Sequence, residues 1–247
     1  MTANDVTTRD LRIPVGSGED IPAHAALPAA AEGKPAVLVL GEIWGVNANI
    51  RAICTRLARA GIIALAPDLY RGEAPPKESD PLPQVMSYFA RFDDPRGIND
   101  CRAGLSHALS GLGVRAGPVF AWGFCKGGRF AHYLAAFDLR LAGAINFYGR
   151  LDFPRQEGLK PFTPLDVADL VSSPYLGLFA GHDPLITRES IEALRGRFTA
   201  RRHPHHLHVY AQAEHAFFND TRPAYHAEVA AEAWTKATGF ITSGSLP

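Results

Sequence analysis

Short, unbroken apolar runs alternate along the chain with stretches whose apolar positions recur every three or four residues. The first long run, PAVLVLG (35–41), shows no apolar–polar alternation, which predicts a strand covered on both faces. A helical period follows over NANIRAICTRLARAG (47–61), then a second strand, GIIALAPDL (61–69). PVFAWGF (118–124) is a third strand and leads into a helix over GGRFAHYLAAF (127–137). LAGAINFYG (141–149) and YLGLFAGHD (175–183) continue the series, and HHLHVYA (205–211) is the last strand before a closing helix from about Pro223 to Phe240. At the start, LRIPVG and IPAHAAL read as a hairpin at a sheet edge, where prolines are tolerated because one side of the strand makes no ladder bonds. The pattern predicts one α/β domain over residues 1–247: a mostly parallel central sheet, helices on both faces, and an antiparallel N-terminal edge.

One segment interrupts the alternation. RGEAPPKESDPLPQVMSYFARFDDPRG (71–97) has five prolines, many charges and a short apolar patch. It reads either as a surface excursion or as a lid lining a pocket. Charge then narrows the partners. The 25 Lys and Arg balance 25 Asp and Glu, so no electrostatic footprint for nucleic acid or a charged membrane surface is expected. No apolar run approaches a membrane span, and MTANDVTTRD lacks the basic flank and apolar core of a secretory signal. The three cysteines, Cys54, Cys101 and Cys125, are an odd number without CxxC spacing, which speaks against a disulfide framework or a thiolate zinc site. A cytoplasmic setting is the expectation. His203, His205, His206 and His208 cluster in RRHPHHLHV without an acidic or cysteine companion, and read as strand positions rather than metal ligands.

The chemistry centres on WGFCKGGRF (122–130). Gly123-x-Cys125-x-Gly127 has the form of a nucleophile elbow, with cysteine where serine is more usual. A nucleophile on so tight a strand-to-helix turn needs neighbours without Cβ atoms, and the helix N-terminus favours a thiolate. Taken alone, Cys125 reads as a small buried hydrophobe beside a glycine-rich turn. Its partners change that balance. Asp183 closes a later strand in FAGHDP, and His215 lies in AEHAFFND, beyond the last strand. Nucleophile, acid and histidine thus come in the order that a triad on this kind of sheet requires. Glu42 ends the first long strand in LGEIWG, either as an ion-paired surface carboxylate or as a group that holds the thiol or accepts its proton. The backbone N–H groups of Ile43 and Lys126 are the candidate oxyanion donors.

These motifs together resemble the dienelactone hydrolase family: LGEIWG, APDLY, GFCKGG, NFYG, AGHDP and EHAFFND span nearly the whole chain in order. The resemblance implies an α/β-hydrolase fold and a Cys125–His215–Asp183 triad, with Glu42 assisting thiolate formation. It implies no metal or organic cofactor, and a reaction that opens an enol lactone, 4-carboxymethylenebut-2-en-4-olide, to maleylacetate. Lactonases of the family hold the substrate carboxylate with two arginines. Here Arg71 directly follows Tyr70, one place early, and the position four beyond His215 is Asn219, with Arg222 three further on. A bidentate clamp tolerates little displacement, so the wider class, a lactone or small carboxylic ester, is the firmer expectation. Arg71, Trp44, Tyr148, Phe217 and Asn219 are the candidate substrate contacts, in a monomer or small homo-oligomer acting on a small molecule. Two alternatives remain open: a non-catalytic, redox-sensing protein with Cys125 as its sensor thiol, and an enzyme of the same fold acting on a thioester or carbon–halogen bond.

Overall fold

The computed structural model describes residues 5–16 and 18–247. Backbone contacts divide the chain into two compact units, one of residues 1–119 with Gln156–Lys160, the other of residues 120–155 with 161–247.

The first unit holds β1 (Val6–Pro14), β2 (Asp20–Pro28), β3 (Ala36–Leu40) and β4 (Ile63–Pro67), in the sheet order β1-β2-β4-β3. β1 and β2 form the expected hairpin, antiparallel from Val6 opposite Pro28 to Pro14 opposite Asp20. β1 is largely exposed, as an edge strand is, whereas all five residues of both β3 and β4 are buried. That difference explains why the last two read as unbroken apolar runs. β2 joins β4 antiparallel, and β3 joins β4 parallel. Helix α1 (Ala48–Arg59) begins where the Asn47 side chain accepts the Ile50 N–H at 3.1 Å.

The irregular segment 71–97 proves substantially helical. It contains α2 (Leu82–Arg91) and the start of α3 (Asp94–Ser110). Its prolines do not break these helices because they stand at their beginnings: Pro81 is the cap of α2, and each helix carries a proline in its first positions, where no N–H is needed. Asp93 caps α3 by accepting the Arg96 N–H at 2.9 Å. The buried Lys160 closes the far end of α2, donating to the carbonyls of Ala90 at 3.0 Å and Phe92 at 2.6 Å.

The strands of the second unit are all parallel: β5 (Val119–Phe124, entering the unit from Phe120), β6 (Gly143–Phe147), β7 (Tyr175–His182) and β8 (His205–Glu214), adjacent in that order. Helices α4 (Lys126–Phe137), α5 (Arg188–Ala200) and α6 (Ala227–Ser243) accompany them. The closing helix starts four residues later than its apolar pattern begins, because residues 219–226 are spent on turns and the His226 side chain accepts the Val229 N–H. Mostly parallel strands, an antiparallel N-terminal edge and interleaved helices make this an α/β-hydrolase fold. Among the described residues, no helix is long and apolar enough to cross a membrane.

Candidate active site

β5 ends at Phe124 and α4 begins at Lys126, so Cys125 alone turns the chain from strand to helix. It does so at φ 52° and ψ −111°, a sparsely populated positive-φ conformation that costs an L-residue roughly 1–3 kcal/mol. The glycines make this turn feasible. A Cβ on Gly123 would overlap the carbonyl of Gly127, and one on Gly128 would strike the Asn146 side chain and lie 2.9 Å from the Gly149 Cα. The Cys125 N–H is held by the Phe147 carbonyl at 3.0 Å, and its side chain remains partly exposed. Cys54 and Cys101 are fully buried, and burial pushes the Cys54 thiol up to about 12, as expected of packing residues.

Asp183 follows the end of β7, just after a register shift between Ala180 and His182. Its side chain is shielded from solvent. One oxygen accepts the Leu185 N–H at 2.9 Å, and the other lies 2.7 Å from Nδ1 of His215. Asp183 therefore makes both a local turn bond and a contact with His215. His215 sits in the turn after β8, next to Ala216 at φ 69°. Its ring is also hydrogen-bonded to Cys125. Burial pulls hardest on the imidazole and by itself lowers its pKa. The electrostatic interaction with Cys125, the hydrogen bonds the ring makes to Asp183 and Cys125, and the Asp183 charge together outweigh it and hold His215 well above 6.5.

Five non-glycine residues among those described have positive φ: Arg71, Cys125, Tyr148, Arg202 and Ala216. Four of these are candidate site residues or the immediate neighbour of one, which is where backbone strain tends to concentrate.

The remaining candidates divide between the units. In the second, Lys126 is the first residue of α4 and is buried. Tyr148 presents its ring edge-on to His215 with centroids 5.3 Å apart, and Phe217 packs on Tyr148 at 5.0 Å and is fully buried. Asn219 is occupied locally, its Oδ1 accepting from the Thr221 N–H at 3.1 Å and hydroxyl at 2.7 Å. In the first unit, Glu42 and Ile43 are buried just beyond β3, and the Tyr70 hydroxyl donates to the Ile43 carbonyl at 2.7 Å. Trp44 borders an open groove of about 610 Å³, with Asn47, Arg51 and Asp68. Arg71 is engaged by two carboxylates: a forked bond to the buried Asp100, at 2.8 and 3.1 Å, and an ion pair with Glu19.

Two residues escaped the sequence reading. Arg150 follows the Tyr148–Gly149 turn; burial, then Arg129, lowers its pKa, against opposing charges at Asp152, Asp183 and Cys125. Asn146 lies buried in β6, directly behind the elbow. In NFYGR both look like an ordinary strand end, and no spacing rule picks them out. Among the described residues, no group of three or more His, Cys, Asp or Glu is placed to hold a metal ion. His206 and His208 instead lie parallel along β8, ring centroids 6.2 Å apart.

Comparison with known proteins bears on this geometry. The sequence profile of the dienelactone hydrolase family matches residues 21–244. A protein of Escherichia coli (strain K12) named "Putative carboxymethylenebutenolidase" is 36% identical over 224 residues, 89% of this chain and 81% of its own. A Bradyrhizobium protein named "Probable 2-oxo-3-(5-oxofuran-2-ylidene)propanoate lactonase" is 30% identical over 225 residues, 91% of this chain and 90% of its own. The crystal structure of a "Putative Dienelactone Hydrolase" from Klebsiella pneumoniae superposes with a TM-score of 0.90 at 32% identity, covering 97% of this chain and all of the other.

Proposed function

Because the chain belongs to the dienelactone hydrolase family and is a hydrolase, we propose that it cleaves a lactone or small carboxylic ester through an S-acyl intermediate on Cys125. The carrying observation is that one imidazole, His215, is hydrogen-bonded on one side to a shielded carboxylate at 2.7 Å and on the other to the elbow thiol. A base fixed by a third group and in contact with the nucleophile is the arrangement that covalent acyl transfer needs.

The steps follow from the groups present. His215 takes the thiol proton, Sγ attacks the acyl carbon, and the carbonyl π pair moves onto oxygen. The Lys126 N–H, at the start of α4, is assigned to that oxyanion, with the helix dipole in support. Collapse expels the alkoxide or enolate, which takes the proton from His215; in a lactone the ring opens and the leaving oxygen stays tethered. His215 then deprotonates a water that attacks the thioester, and the acid and free thiol result. Asp183 keeps Nδ1 of His215 protonated, and so directs Nε2 to the sulfur. A thiolate is itself a good leaving group, so the adduct goes forward only when the substrate's leaving group is better still. That favours enol lactones and activated esters over amides. The parts assigned to Glu42 and the Ile43 N–H rest on the LGEIWG motif.

The test is hydrolysis of a dienelactone and of p-nitrophenyl acetate by wild type and Cys125→Ala. Loss of turnover in the variant, by at least about 10³-fold, together with mass-spectrometric capture of an acyl group on Cys125, is expected. A variant as active as wild type on both substrates refutes the assignment.

A further inference from the structure

Behind the elbow lies a buried polar chain that the mechanism above leaves unused. Asn146 on β6, Tyr175 on β7 and His132 on α4 are all fully buried. Polar groups left unbonded in such a layer cost about 1–3 kcal/mol each, so their mutual arrangement calls for a reason. Burial pushes His132 down to about 3, which leaves a neutral ring, and raises Tyr175, whose hydroxyl keeps its proton. The Tyr175 oxygen lies 2.8 Å from the Asn146 amide nitrogen and 3.2 Å from His132 Nδ1. An amide nitrogen only donates, so the Tyr175 oxygen accepts from Asn146 and gives its own proton to His132.

The Gly149 N–H, which can only donate, fixes the Asn146 amide in the orientation that turns its nitrogen to Tyr175. Its Oδ1 turns toward the next loop and accepts the Gly149 N–H at 2.7 Å. The loop so held contacts both reacting groups. The Phe147 carbonyl takes the Cys125 N–H at 3.0 Å, and the Tyr148 ring stands 5.3 Å from the His215 ring. Tyr148 itself adopts φ 42°, a conformation that needs outside support. Gly128 and Gly149 also approach so closely that added Cβ atoms would collide with the Asn146 oxygen or the facing backbone.

We propose that Asn146, aligned by Tyr175 and His132, is a positioning residue that sets the 147–149 turn and through it the placement of Cys125 and His215. The inference rests on the thiol–imidazole reading above and extends it to a residue that touches no substrate. Asn146→Ala removes the Gly149 bond. Tyr175→Phe removes the hydroxyl that aligns Asn146 and His132 and keeps the ring contacts to His132 and Phe198. Misplacement of a reacting group by about 1 Å costs up to 10²-fold, so Asn146→Ala is expected to lower kcat on p-nitrophenyl acetate about tenfold or more, with KM within twofold. Tyr175→Phe is expected to lower it several-fold. NMR titration should show the His215 pKa falling in Asn146→Ala as its contacts to Cys125 and Asp183 loosen.

If both variants lower only the melting temperature, with wild-type kcat and His215 titration at 25 °C, the residues are structural and the proposal fails. If Asn146→Ala does not fold, the Tyr175→Phe values decide by the same criteria. Should wild type and Cys125→Ala hydrolyse the ester equally, the hydrolase mechanism is what fails. The His215 titration then tests positioning by itself: a fall supports it and constancy overturns it.

Discussion

Asp183→Asn exchanges one oxygen for an amide nitrogen at a site that is shielded and 2.7 Å from His215 Nδ1, so the shape of the site is kept while its charge is lost. Two losses follow. The charge-assisted bond is worth about 1.5–3 kcal/mol, and it counts in full when His215 carries the thiol's proton. At 1.36 kcal/mol per decade this is one to two powers of ten in kcat. In addition, the asparagine NH2 can donate to Nδ1, which moves the ring proton to Nε2 and removes the lone pair needed for the sulfur. This second effect enlarges the loss toward about 10⁴. The expected result is a fall in kcat on p-nitrophenyl acetate of at least about 30-fold, with little change in KM. The His215 pKa followed by NMR should fall as well, since the bond and charge that oppose its burial are gone. A variant within threefold of wild type, with His215 titrating as before, would refute the orienting role.

Further outcomes follow from the same structure. Arg71→Met strips the buried Asp100 of its forked partner and is expected to cost about 3 kcal/mol in urea unfolding; wild-type stability combined with a raised KM for a carboxylate-bearing lactone would instead make Arg71 a substrate contact. Gly123→Ala drives a Cβ into the Gly127 carbonyl and is expected to lose about 3 kcal/mol or more, read as a lower melting temperature or failure to accumulate as folded protein. Folding raises the His215 pKa, so proton uptake by His215 favours the folded state: that stabilisation is whole below about 6.5 and fades as pH climbs through the folded value. The melting-temperature gap between wild type and Asp183→Asn should accordingly be widest near pH 6 and narrow in alkali; a gap that widens with pH would contradict the shift.

Much of this was legible in the sequence for identifiable reasons. β3, β4, β5 and β6 are buried from end to end, and full burial leaves an unbroken apolar run. The elbow was legible because its geometry excludes side chains at positions 123 and 128, and glycine records that exclusion. Helix α2 was hidden because it buries only Val85 and begins among prolines that ordinarily signal a break. α5 passed unnoticed because it buries only Ser190, Ile191, Leu194 and Phe198 among charged neighbours. Tertiary partnerships were beyond reach altogether. Arg71 finds Asp100 29 positions away, and Asn146 finds Tyr175 at the same separation, with no local spacing to announce either pair. Asn219, singled out by its distance from His215, uses its side-chain oxygen on Thr221.

The unequal burial of the three sulfurs makes the native chain a single-thiol reagent. Cys54 and Cys101 have no exposed surface, whereas Cys125 is partly open to solvent. A maleimide dye or Ellman's reagent should therefore count one sulfur on folded protein and three after denaturation. The stoichiometry reports how much of a preparation is folded. The rate of the single native event reports whether Cys125 is covered by a bound molecule, so binding there can be followed without turnover.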